Sequence, residues 1–72
     1  ASEFGQIWLA IDAFTQALEG DPSSVVTWVD RARAHLARGA HARAASDYTE
    51  ALKLDPENTV VREELERLSD NP

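Results

Sequence analysis

The sequence predicts an all-α fold of about four helices. Apolar residues recur in steps of three and four, and no segment alternates apolar and polar residues with a period of two. The β-branched residues are few and scattered, whereas alanine, leucine, glutamate and arginine dominate the periodic segments. Three glycines and three prolines punctuate these segments, as is typical of helix ends and starts. At 72 residues, the chain is one small domain or a piece of a larger one.

The first two helices are predicted from their apolar faces. Residues 6–19 form the first, with an apolar face of Ile7, Ala10, Ile11, Phe14, Ala17 and Leu18. Residues 24–38 form the second, whose broader face consists of Val25, Trp28, Val29, Ala32, His35 and Leu36. An Asp-Pro pair precedes the second helix, and we interpret this pair as a helix start signal.

The last two helices differ in character. The third is predicted over 41–54, with a face of Ala44, Ala45, Tyr48, Ala51 and Leu52. The fourth is predicted over 58–69 and is polar except for one stripe of Val60, Val61, Leu65 and Leu68. A helix with a single apolar stripe is suited to cover the end of a helical stack.

Two segments of the chain repeat one another at an offset of 34 residues. In the window 10–22, six of thirteen positions are identical to their counterparts, including the Asp-Pro pair. At the same offset, Phe14 aligns with Tyr48 and Gly5 aligns with Gly39. Chance similarity between alanine-rich helices would not align the glycines and both Asp-Pro pairs. We therefore interpret AFTQALEGDP and DYTEALKLDP as copies of one unit.

A 34-residue unit with this punctuation resembles the tetratricopeptide repeat. The complete copy spans residues 25–58. The matching positions are Trp28 in the first helix, Gly39 in the turn, Ala44 and Ala51 at the helix crossing, Tyr48 in the second helix and Pro56 at the end. The resemblance implies a fragment of a right-handed α-α superhelix of antiparallel helix pairs, in which small residues allow close approach and aromatics fill the wedge beside them.

The remaining segments are interpreted as parts of neighbouring units. Residues 5–22 match the turn and second helix of a truncated first repeat, and residues 59–70 resemble a C-terminal capping helix. Residues 1–4 are expected to be a cloning-vector scar or a disordered start. Arg31 stands where the family usually has leucine. Its stem is expected to cover apolar surface while its guanidinium reaches water.

The composition argues against several classes of function. The chain has no cysteine, which removes disulfides, thiolate zinc sites and cysteine nucleophiles. Its net charge of −6 opposes a phosphate backbone, so no nucleic-acid partner is expected. The longest uncharged apolar run, 7–11, is far shorter than the ~20 residues of a membrane span, so no membrane partner is expected. We expect a cytoplasmic location.

No catalytic, cofactor or metal site is predicted. The hydroxyl residues lie in no nucleophile pattern. His35 and His41 are six residues apart across a turn, whereas a zinc pair on one helix needs a spacing of three or four. Glu63, Glu64 and Glu66 are interpreted as solvated charges on a polar helix. The chain is therefore expected not to be an enzyme.

The resemblance implies that the function lies on a surface formed by the first helices of successive units. In the family, these helices line a concave groove that grips an extended or helical peptide. The corresponding residues here are Val26, Val29, Asp30, Arg33, Leu36, Ala37, Glu63, Glu64 and Arg67. This surface is apolar in its centre and acidic at one side. We expect a protein or peptide partner with apolar anchors and some lysine or arginine.

Two other functions are considered beside this scaffold role. One subclass of the family grips acidic chaperone tails with basic residues at the positions of Val26 and Asp30, which cannot hold a carboxylate. The segments RARAH and VVREELERL nevertheless resemble the last unit of immunophilin-like co-chaperones.

The second alternative is a structural role, in which the helices pack on another domain of the parent chain. A binding module would leave Val26, Val29 and Leu36 open, whereas a structural piece would cover them.

The exposed end of the first helix raises the question of assembly. Trp8 is compatible with core filling at the open end, with peptide binding, or with a solvated side chain. Repeat arrays usually need about three units, and this chain holds one and two halves. We therefore expect a weak homodimer, formed by packing of the first helix against its twin or by exchange of helices between chains. The alternative is a monomer in which Trp8 folds over the open end.

Overall fold

Four α-helices make up the fold in the computed structural model, which describes residues 3–70. They are α1 (Glu3–Gly20), α2 (Val25–Ala37), α3 (His41–Leu54) and α4 (Thr59–Asp70). Each helix packs on the next along the chain, and the contact between α2 and α3 is the most extensive. The predicted all-α class is confirmed, and the bounds of α3 are those predicted. Within residues 3–70, no helix has both the length and the hydrophobicity of a membrane-spanning segment.

Side-chain caps start α2 and α4. The Ser24 hydroxyl accepts a hydrogen bond from the Thr27 amide at 3.3 Å. The Asn58 side-chain carbonyl likewise accepts from the Val61 amide at 3.1 Å. Each cap satisfies an amide that has no partner within its helix. The proline of each Asp-Pro pair lies in the turn before the helix. The pair therefore marks where the helix starts, but the residue that caps the helix follows the proline and is not the aspartate.

Gly39 shapes the turn between α2 and α3. Its φ of 78° is in the left-handed region, which glycine adopts without steric cost. The Gly39 amide donates to the Leu36 carbonyl and the Ala40 amide to the His35 carbonyl, both at 2.9 Å. These bonds form a Schellman motif, which ends α2 and lets α3 begin antiparallel to it.

The start of α1 differs from the prediction. Gly5, which aligns with Gly39, lies inside the helix, so the turn predicted there is not formed. A glycine that is not held at positive φ continues a helix at a cost of about 1 kcal/mol. The helix also includes Glu3 and Phe4, which were expected to belong to a scar or disordered start. Ala1 and Ser2 lie outside the described residues.

The core forms where α2 and α3 cross. Ala32, Ala44, Tyr48 and Ala51 have no exposed surface there, and Val61 of α4 closes one side. Three alanines at one crossing allow two helices to approach closely, and the tyrosine ring fills the space beside them. This arrangement matches the roles expected for Ala44, Tyr48 and Ala51. It leaves the opposite faces of α2 free to form two separate cavities.

Candidate functional site

A groove of about 290 Å³ lies between α2 and the start of α4. Its walls on one side are Val25, Val26, Val29, Asp30 and Arg33 of α2. Its other wall consists of the cap residue Asn58 with Val60 and Val61 of α4. We call this feature the α2–α4 groove. The two helices correspond to the first helices of successive units, as the 34-residue offset requires.

Valines form the floor and rim of the α2–α4 groove. Val29 and Val61 are buried and connect its floor to the core. Val26 and Val60 stand on the rim and are 70% and 57% exposed. The offset of 34 residues places Val60 at the position that Val26 occupies in the preceding unit. The groove therefore offers two exposed apolar side chains, each contributed by an equivalent repeat position.

An ion pair joins α2 to α4 beside the groove. Arg33 donates to both carboxylate oxygens of Glu64, at 3.2 and 2.9 Å, and the Tyr48 hydroxyl donates to the same carboxylate at 2.9 Å. The Arg33 hydrogen bond holds the pKa of Glu64 below its usual value, and the Tyr48 bond acts in the same direction. Burial, assisted by Glu64, raises the pKa of Tyr48 to about 12. These bonds fix the position of α4 relative to the repeat.

Asp30 determines the electrostatic character of the groove. The charge of Arg33 is balanced by Glu64, whereas Asp30 is half-buried and has no ion-pair partner among residues 3–70. A half-buried carboxylate next to apolar walls is only partly solvated, which increases its attraction for a cation. The groove thus combines exposed valines with one uncompensated negative charge.

The comparison with known families identifies the module. Residues 25–58 match the family model described as tetratricopeptide repeat. This segment contains the buried crossing of Ala44, Tyr48 and Ala51 and the Gly39 turn. Residues 25–58 are a tetratricopeptide repeat. Such repeats are protein–protein interaction modules, and the α2–α3 hairpin is the helix pair of this one.

The similarity extends beyond the repeat itself. Over 48 residues the chain is 40% identical to "Protein SGT1 homolog" of Oryza sativa subsp. japonica. The matched segment covers 67% of this chain and 13% of that protein. The chain therefore spans a small part of this curated relative.

The structure brings together four of the predicted groove residues. Val26, Val29, Asp30 and Arg33 line the α2–α4 groove of the tetratricopeptide repeat. Glu64 lies beside it through its bond to Arg33. The other predicted residues do not line the groove: Leu36 packs against the core, and Ala37, Glu63 and Arg67 are exposed elsewhere.

Four further residues line the groove that were not predicted from the sequence: Val25, Asn58, Val60 and Val61. The repeat offset could have found Val60, because it aligns with Val26. Asn58 was assigned to the end of the repeat, and its capping role places it at the mouth of the groove. The groove is consequently nearer the N-terminal ends of its two helices than predicted.

Arg31 does not extend into water as expected. Its guanidinium forms two hydrogen bonds to Asp47 of α3, at 2.9 and 2.8 Å, and a third to Thr15 of α1 at 3.2 Å. It also lies 5.1 Å from the centroid of the Trp28 ring. The expectation was wrong because Asp47 supplies a buried carboxylate on the facing helix, which the apolar pattern does not reveal.

Trp8 does not fill the core. The side chain is 53% exposed, and the Arg38 guanidinium lies 4.5 Å from its ring centroid. This distance is within the range of a cation–π interaction. Of the alternatives considered for Trp8, core filling is therefore wrong.

The described residues offer no evident metal site. In residues 3–70, no three or more histidine, aspartate or glutamate side chains group in a way that could hold a metal ion. His35 is buried against Asp47, with 3.7 Å between Nε2 and the nearer carboxylate oxygen, and burial lowers the pKa of its imidazole. His41 is exposed at the start of α3.

Proposed function

We propose that this tetratricopeptide repeat is part of a scaffold that binds a peptide segment of a partner protein in the α2–α4 groove. The observation that carries the proposal is the pair of exposed valines, Val26 and Val60, on either side of one cavity. Exposed apolar side chains that converge on a cavity are typical of peptide-binding surfaces. Their burial by an apolar anchor would supply the affinity.

The chemistry of the groove favours one kind of partner. A volume of about 290 Å³ accommodates apolar anchor side chains of a peptide but not a whole packed domain. Asp30 would pair with a lysine or arginine beside the anchor, because Arg33 is already neutralised by Glu64. The partner is thus a basic or neutral peptide segment with apolar anchors. We place this interaction in the cytoplasm and assign the chain no catalytic activity.

The co-chaperone alternative requires a different electrostatic arrangement. An acidic chaperone tail needs free basic side chains in the groove, and Arg33, the basic residue that lines it, is paired with Glu64 at 2.9 Å. Val26 and Asp30 occupy the positions where that subclass has basic residues. These contacts favour the scaffold that binds basic or neutral segments over an acidic-tail clamp of the immunophilin-like kind.

The structural alternative predicts covered groove residues. Val29 and Leu36 are covered, but by the core of the repeat itself. Val26 and Val60 are not covered by any helix of the described chain. The uncovered pair is open to a bound peptide or to another domain, and the binding experiment described next tests the first of these.

Peptide display followed by variant binding tests the proposed function. Peptides selected from a random library on the parent protein should carry apolar anchors with lysine or arginine nearby. Val26→Gln should weaken the binding of a selected peptide by about tenfold or more, as measured by calorimetry, because it removes an exposed contact of the groove. Leu9→Gln is the matched control, since Leu9 is a similarly exposed apolar residue on α1. Equal affinity of both variants would show that the groove is not the binding surface.

A further inference from the structure

A second cavity, of about 440 Å³, lies on the other side of α2 from the α2–α4 groove. It is formed by α1, α2 and α3, and we call it the arginine cavity. From α2 it receives Arg31 and His35, which are four residues apart on one helix face, and it also receives Arg38, which caps the C-terminal end of α2. From α3 it receives Arg43, Ser46 and Asp47, and from α1 it receives Trp8, Ile11 and Thr15.

The arginine cavity is positively charged in a negatively charged protein. Three of the seven lysine and arginine residues of the chain line it, and Asp47 is the one acidic residue among the described residues of its lining. Three positive charges less one negative charge leave +2 at the cavity, against −6 for the whole chain. A concentration of like charge in a concave site raises the local potential for an anion.

Two of the three arginines have no carboxylate partner among the described residues. Asp47 accepts two of the three hydrogen bonds of Arg31, at 2.8 and 2.9 Å, and neutralises its charge. Arg38 and Arg43, in contrast, form no ion pair within the described part of the chain. Their guanidinium groups face one cavity, so they repel one another unless an anion lies between them.

Arg38 is held in place by neutral contacts. Its Nε donates to Nδ1 of His35 at 3.2 Å, and its guanidinium stacks on Trp8 at 4.5 Å from the ring centroid. The imidazole must be neutral to accept this bond. Burial lowers the pKa of His35, opposed by Asp47 and assisted by Arg38, Arg31 and Arg43. The terminal nitrogens of Arg38 therefore remain available while the side chain is fixed.

We propose that the arginine cavity binds the phosphate group of a phosphorylated side chain on a partner protein. A phosphomonoester carries a charge of about −1.5 to −2 near neutral pH, which matches the two guanidinium groups of Arg38 and Arg43. Ser46 lines the cavity from the same helix as Arg43, and its hydroxyl would supply a further donor. The half-exposed ring of Trp8 forms an apolar wall for the carbon stem that carries the phosphate.

A protein-borne phosphate is favoured over a free one by the form of the site. Free phosphate would use the arginines but not the aromatic wall. The cavity is also part of a protein-interaction module, so a partner held in the α2–α4 groove and one held here would occupy opposite sides of α2. The proposed phosphate site shares no lining residue with the α2–α4 groove, so the two proposals are independent.

The test uses the full chain and a short alanine-based peptide with one central phosphoserine. In nitrogen–proton correlation spectra, the peptide should shift the indole signal of Trp8 and leave that of Trp28 unchanged. Arg43→Gln should weaken binding by about tenfold or more, since charge-assisted bonds to phosphate are among the stronger ones. Lys53→Gln is the matched control, because it removes one charge from an exposed site on the same helix, outside the cavity.

Three comparisons decide the outcome. The proposal predicts that the unphosphorylated peptide, the peptide with glutamate in place of phosphoserine, and inorganic phosphate all bind at least about tenfold more weakly than the phosphopeptide. Equal binding of the glutamate or unphosphorylated peptide would overturn phosphate recognition. Equal binding of inorganic phosphate would overturn the assignment to a protein partner. An unchanged affinity of Arg43→Gln would overturn the site.

Discussion

Arg31 of α2 and Asp47 of α3 form two parallel hydrogen bonds, at 2.9 and 2.8 Å, across the most extensive helix contact of the fold. Asp47 is buried, and Arg31 is 20% exposed. The Asp47 carboxylate also lies 3.7 Å from Nε2 of His35. One carboxylate thus serves two polar side chains of α2 at the edge of an alanine-rich crossing.

Removal of this carboxylate should destabilise the protein. Asp47→Ala leaves Arg31 and His35 without their shared acceptor, and we expect a loss of about 2 kcal/mol in the free energy of unfolding. Urea denaturation followed by circular dichroism measures the change. Asp12→Ala is the control, because Asp12 is an exposed carboxylate on α1. A variant Asp47→Ala as stable as the parent would contradict a structural role for the pair.

The small size of Ala44 should be essential to the helix crossing. Ala44 has no exposed surface, so Ala44→Leu would force α2 and α3 apart at a cost of ~1–3 kcal/mol. Ala42→Leu places the same side chain at an exposed position of α3 and should leave the melting temperature nearly unchanged. If both variants melt like the parent, the register of the repeat is wrong.

Tyr48 should titrate abnormally in the folded protein. It is the one tyrosine of the sequence, so the ultraviolet absorbance of tyrosinate reports it alone. Burial and the bond to Glu64 raise its pKa to about 12, whereas an unperturbed tyrosine titrates near pH 10. Its folded-state pKa is raised, so its contribution to stability is complete below pH ~10 and is lost as the pH rises through about 12.

A urea-unfolded sample supplies the reference for this titration. The unfolded midpoint should lie near the ordinary value, and the folded midpoint should lie above it. Coincident midpoints would mean that the Tyr48 hydroxyl is neither buried nor bonded to Glu64 in solution.

The apolar surface of α1 should promote weak dimerisation. Phe4, Trp8 and Leu9 are each more than half exposed on this helix. Sedimentation over a concentration series should show a rising average mass, and Leu9→Gln should reduce it, because burial of an exposed leucine side chain is favourable. A species of 7.9 kDa that persists at millimolar concentration would exclude the dimer.

The repeat offset explains why so much of the fold was predictable. Alignment of Ala44 and Ala51 with Ala10 and Ala17 is enough to locate the small residues of the crossing from the sequence. The glycine of the turn was also predictable, because Gly39 adopts a conformation that few other residues tolerate. Gly5 shows the limit of the same argument, since a glycine permits a turn without requiring one.

The polar contacts could not be predicted in the same way. Arg31 and Asp47 are 16 residues apart, and periodicity assigns each to a helix face without pairing them. Arg33 and Glu64 are 31 residues apart and were placed on one surface, but their bond, which cancels the charge of Arg33, depends on side-chain geometry. The cavity lies between the two helices that supplied the predicted groove residues, whereas its lining and charge depend on contacts that periodicity does not show. Peptide binding there stays a prediction.

The central claim is that the α2–α4 groove selects basic or neutral peptide segments. Peptide titration tests this claim most directly. A display-selected peptide with apolar anchors and lysine should bind at least about tenfold more tightly than an acidic C-terminal chaperone tail peptide, because Glu64 neutralises Arg33 and no cation in residues 3–70 neutralises Asp30. Asp30→Asn should reduce that preference, and Arg33→Gln should not weaken binding of the acidic tail. Micromolar affinity for the acidic tail that disappears in Arg33→Gln would contradict the claim.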